Sequence, residues 1–117
     1  MIGNLIATLF LSRDVAHREH LKTTSYAAHM ALGDFYDSVV ELADKLAETY
    51  QGRHGLVDIP VLSAEADVAI DSQLESHLNA VEYLRTGAIG DDSAIQNIVD
   101  EIVGLYLQTL YKLRRFK

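Results

Sequence analysis

One connection limits the folds open to this chain. Residues 52–62, GRHGLVDIPVL, hold two glycines and the sole proline. They follow the longest helical stretch, 25–51, which would measure about 39 Å at the α-helical rise. Eleven or twelve extended residues reach about 36–43 Å. A hairpin between neighbouring helices needs only about two to eight residues. The segment can therefore run the full length of its preceding helix and start the next one at the opposite end, so that those two helices are parallel. Leu56, Val57, Ile59, Val61 and Leu62 would pack on the body of the protein as the chain crosses. His54, within the segment, is assigned no role.

The other connections are short. In 3–21, Leu5, Ile6, Leu9, Phe10 and Ala16 recur at helical spacing. Lys22 to Ser25 is a tight turn, which predicts antiparallel neighbours. Thr24 or Ser25 caps the helix over 25–51, and Gly52 lies past its end. Gly33 falls inside that helix at a cost of about 1 kcal/mol relative to alanine, which points to close approach of another helix or of a ligand, with close packing the preferred reading. A third helix is expected over 63–86. Ser63 is its cap, Ile70, Leu74, Leu78, Val81 and Leu84 its stripe, and Gly87 its stop. His77 lies in that stripe and reads as a core histidine. Asp91, Asp92 and Ser93 open a fourth helix, 91–116, with Ile95, Ile98, Val99, Ile102, Tyr106, Leu110 and Leu113 on one face. Two short links around one long link predict an all-α, four-helix bundle with a single crossover, 52–62, in one domain spanning 1–117.

Composition narrows the chemistry. The absence of cysteine excludes disulfides, thiolate metal sites and cysteine nucleophiles, and it fits a cytoplasmic protein. A net charge of −7 argues against binding a nucleic-acid backbone through the body of the protein. The basic run at 112–117 reads as the cationic last turn that a helix dipole favours. The apolar start, MIGNLIATLFL, lacks a basic leader or small-residue cleavage site and is too short to span a membrane.

The 25–51 helix carries the residues with chemical potential. Asp37, Glu41, Asp44 and Glu48 fall within an arc of about 60°. With Asp37 at zero, the apolar residues span about 140° to 300°, His29 lies near 280° and Asp44 near 340°. His29 and Asp44 thus border the apolar face, where a second subunit could complete a ligand set. As a bare ladder, the four carboxylates read as a solvated face. His17 and His20, three apart near the end of the first helix, read by themselves as hydrogen-bonded residues at the edge of the core.

His29, Asp44 fifteen residues later and Glu48 four beyond that reproduce a spacing found in the Dps-like miniferritins, and Phe35 also coincides with a family phenylalanine. The chain resembles that family, and most of all the short ferritin-like proteins of tailed phages. The resemblance implies a ferroxidase centre between two subunits. Histidines from one chain and the aspartate and glutamate of its two-fold partner would bind iron there, or another divalent metal. It implies His20 as the first histidine, with His17 as the other candidate. The family's aspartate four residues after the second histidine is Gly33 here, with Asp34 one step on and about 100° further round the helix. Asp34 and Asp37 complete the candidate ligands. The resemblance also implies a homo-oligomer, at least a two-fold dimer and in the full family form a twelve-subunit shell, in the cytoplasm of the cell or of a phage host. The competing expectation is a non-enzymatic helical bundle with a structural or interaction role and a degraded metal site.

Overall fold

A computed structural model describes all residues, 1–117, as four α-helices without strands. They are α1 (Ile2–Lys22), α2 (Tyr26–His54), α3 (Ile70–Ala88) and α4 (Ser93–Arg115). Each of α1 and α4 packs on both α2 and α3, which leaves α2 and α3 on one diagonal. Ion pairs and hydrogen bonds fix the directions. Arg53, at the end of α2, meets Asp92 at the start of α4, 2.7 Å apart. Arg85 Nε, at the end of α3, donates to Gln96 Oε1 near the same start, at 2.7 Å. At the other end Arg114 reaches Asp71 and Glu75 at 3.2 and 3.1 Å. Hence α2 and α3 both end where α4 begins. They run parallel, as the long connection predicts, and the bundle has the single crossover seen in ferritin-like connectivity.

The core is the inner stripe of each helix. Leu5, Ile6 and Leu9 come from α1, Leu32, Phe35, Val39 and Leu46 from α2, Leu74 and Val81 from α3, and Ile95, Ile102 and Tyr106 from α4. Phe35 meets Tyr106 edge to face at 5.1 Å.

The helix ends differ from the sequence expectation in an instructive way. The crossover spans 55–69, not 52–62, and the third helix starts at Ile70, not at residue 63. Gly52 stays helical, and the residue that leaves the helix is Gly55, at φ 90°. That makes α2 29 residues long, or about 43 Å. A crossover of eleven residues would fall short of that span, and fifteen extended residues reach about 50 Å. Residues 63–67 are exposed and non-helical, and Ala69 occupies the cap position of α3 without a side-chain bond. Gly87 lies inside α3 against the Met1 side chain and does not stop the helix, which continues to Ala88. The two other caps are as read. Ser25 Oγ accepts from Ala28 N at 3.2 Å, and Asp92 Oδ1 accepts from Ala94 N at 3.2 Å.

The crossover lies along α1. Asp58 carbonyl oxygen sits against Gly3, so close that a side chain at residue 3 would overlap it. Ile59, Pro60, Val61 and Leu62 then flank Phe10 and Leu11, and Ala64 and Glu65 pass beside Arg18 and Glu19.

Candidate functional site

The α1–α2 turn sets two histidines face to face. Thr23 Oγ1 accepts from Ser25 N at 3.2 Å, and Ser25 caps α2. This tight return places His20, in the last turn of α1, against His29, in the first turn of α2. The rings stack with centroids 3.8 Å apart and planes 16° from parallel. Each ring also bonds the other residue's backbone. His20 Nδ1 donates to the His29 carbonyl at 2.6 Å, and His29 Nδ1 donates to the His20 carbonyl at 2.7 Å. The His20 carbonyl is one of the α1 C-terminal acceptors that no helical N–H serves. A carbonyl can only accept, so both Nδ1 atoms must carry hydrogen. In the neutral rings both Nε2 lone pairs are left free.

Gly33 makes this seat possible. A Cβ at residue 33 would lie 3.0 Å from His20 Cε1 and 3.2 Å from Nδ1. The interior glycine therefore does signal close approach, and the approaching group is an imidazole. His17 joins the cluster through Tyr36, which stacks on it at 4.2 Å and meets the edge of His20 at 5.3 Å. The Arg13 guanidinium lies 5.5 Å from the centre of the Tyr36 ring. All three histidines are half-buried.

The carboxylates stand elsewhere. Asp34, Asp37, Asp44 and Glu48 are exposed. Glu41, Asp44 and Glu48 line a shallow, open depression with Lys45 and Thr49. Fifteen residues separate His29 from Asp44, about 22 Å along a helix. One chain cannot put both on one ion, and it brings no three His, Asp or Glu side chains together as a metal site. Asp34 stays on the outer surface and does not replace the acid absent at residue 33.

A second polar group lies inside the bundle. Ser12 Oγ is 2.5 Å from Tyr106 Oη and 2.7 Å from His77 Nδ1, which ties α1, α4 and α3 together. Ser12 and Tyr106 are fully buried. The sequence marks His77 as a core histidine but not its partners, because they come from other helices and share no spacing with it. Tyr36 is missed for the same reason. Burial pushes the Tyr106 phenol far up and holds the His77 imidazole below its ordinary value.

Comparison with known proteins returns two matches. The chain is 26% identical over 114 residues to an uncharacterized 14.6 kDa protein from the mobD–ri intergenic region of Enterobacteria phage T4. That alignment covers 92% of this chain and 84% of the phage protein. No solved structure matches. No helix is long and apolar enough to cross a membrane. The second match is a family model aligned to residues 20–113, which starts at His20 and takes in His29, Asp44, Glu48, His77 and Tyr106. On that match over most of its length, the chain belongs to the family of unknown function DUF5856.

Proposed function

We propose that this is a phage-type, ferritin-like protein that takes Fe(II), or another divalent metal, as its substrate at a site shared between two chains. His20 and His29 of one copy would supply nitrogen ligands, and Asp44 and Glu48 of a second copy would supply oxygens. His17, Asp34 and Asp37 would be the further candidates for that set. The observation that carries this reading is the paired Nδ1 bonding of His20 and His29. Metal-binding histidines donate their second ring N–H to a carbonyl or carboxylate, which fixes the ring and leaves the other nitrogen to the metal. Nitrogen and carboxylate donors together suit iron that must still meet an oxidant. The 22 Å between histidines and carboxylates suits two α2 helices packed antiparallel about a two-fold axis near residue 37. A phage relative accords with action in a host cytoplasm.

A second reading has its own observation. The His20 ring occupies the space that an acid at residue 33 would need. The bundle would then serve packing or partner binding, with no metal chemistry.

Aerobic addition of Fe(II) to metal-free protein, followed by absorbance of the ferric product, separates the two. The first reading expects saturable oxidation that His29→Ala and Glu48→Ala each abolish, with the helical CD signal unchanged. Mixing the two inactive variants should restore about a quarter of the wild-type rate, because half the pairs are mixed and each has one intact site. Oxidation no faster than in buffer, with no metal bound, would leave the second reading.

A further inference from the structure

Outside the histidine pair, the group with the most constrained chemistry is Ser12–His77–Tyr106. Its hydrogens can be placed by counting partners. Tyr106 Oη touches only Ser12 Oγ, so the phenol hydrogen must go there. Ser12 Oγ has one further partner, His77 Nδ1, so the serine hydrogen goes to that nitrogen. His77 Nδ1 is therefore an acceptor, and its ring hydrogen is on Nε2. No buried side-chain polar atom is left without a partner in this arrangement.

The outer side of the ring faces a polar cleft of about 180 Å³ under the crossover. Ser63, Glu65 and Val68 of the crossover and Ser72 and Ser76 of α3 line it with His77. The crossover is lightly held there. Residues 63–67 are exposed, and the side-chain bond that holds the crossover beside the cleft runs from Gln73 Nε2 to the Val68 carbonyl, at 2.8 Å.

A second proton on His77 must enter at Nδ1. Three hydrogens would then share the two contacts around Ser12, and one would be orphaned in the core. We infer that this chain of hydrogen bonds is a proton-sensitive latch on the crossover: neutral His77 holds residues 63–68 closed over α3, and protonated His77 turns into the cleft and releases them.

The other groups around the ring are few. From the crossover it is Glu65, from α4 Tyr106, and from α1 only the uncharged Ser12 and Leu11. Asp14, Arg18, Glu19 and Lys22 of α1 line neighbouring depressions. In the closed form burial lowers the His77 value below 6.5, and in the open form it returns toward 6.5. The open form thus binds more protons. Closure is complete above about pH 6.5 and is lost as pH falls below it, down to the closed-form value.

The chain has no cysteine, so single-cysteine variants report on one position each. Val68→Cys sits in the half-buried cleft wall, and Val61→Cys, at a position 98% exposed, corrects for thiol chemistry. The ratio of their labelling rates should rise about tenfold per pH unit below pH 6.5, the slope of one coupled proton. His77→Gln keeps an acceptor for Ser12 and should flatten the ratio, while Glu65→Gln should leave the slope in place. Should His77→Gln not fold, the ring resonances of His77 in the unsubstituted chain must titrate over the same pH range as the labelling. A flat ratio, a slope that survives His77→Gln, one that vanishes in Glu65→Gln, or parallel loss of the helical CD signal would each overturn the latch.

Discussion

At Gly33, backbone preference and side-chain packing pull in opposite directions. Alanine there gains about 1 kcal/mol of helix propensity. The same methyl would press on the His20 ring at 3.0 Å and displace it from the His29 carbonyl. A lost hydrogen bond of this kind costs about 0.5–1.5 kcal/mol. Gly33→Ala should therefore leave stability within about 1 kcal/mol of the parent while removing the protected Nδ1 proton signal of His20 in NMR. Ser12 presents the opposite case, since it is fully buried and so is its partner Tyr106. Ser12→Ala orphans the Tyr106 hydroxyl in the core, at about 1–3 kcal/mol. Tyr106→Phe removes the donor itself and leaves Ser12 still bonded to His77, so it should cost less, about 0.5–1.5 kcal/mol. Denaturant unfolding of the two variants tests this order, and equal costs would contradict the directed chain of hydrogen bonds.

Among the elements, the crossover decides the topology, and its first contact decides where it lies. The Asp58 carbonyl passes directly over Gly3. Gly3→Ala must push the crossover off α1, at about 1–3 kcal/mol for an overpacked contact. The expected readout is a lower unfolding midpoint together with faster proteolysis between residues 55 and 69. Its existence is legible from residue counting alone, because no hairpin between neighbouring helices needs so long a link. Its ends are not. Gly52 and Gly55 are equally good stops on paper, and what separates them is that Gly55 takes φ 90° while Gly52 remains helical. Ser63 looks like a cap, yet α3 waits for Ile70, the first residue of its apolar stripe, since residues 63–67 have little apolar surface to bury. Caps announce where a helix could begin, and burial determines where it does.

For the whole molecule, half of the candidate site follows from chain connectivity, and the other half would need the symmetry proposed above, which one chain does not contain. His17, His20 and His29 converge because a three-residue turn joins α1 to α2, and spacing makes that visible. The carboxylates belong to the outer face of α2, and only a second copy could bring them to the histidines. Their own electrostatics provide a test. Lys45, Arg53 and Arg85 are drawn to Glu101, Asp92 and Asp100, which leaves Glu41, Asp44 and Glu48 facing one another in solvent. Asp44→Lys turns two repelling pairs, with Glu41 and Glu48, into attracting ones. At about 0.2–0.5 kcal/mol for the repulsion removed and again for the attraction gained in each pair, the isolated chain should gain about 1–2 kcal/mol. The same substitution should abolish Fe(II) oxidation if Asp44 serves a neighbour's histidines. A gain in stability with loss of oxidation is the signature of acids held in place for a metal. A loss of stability in metal-free protein would mean instead that the ladder is already neutralised in solution by contacts with another chain.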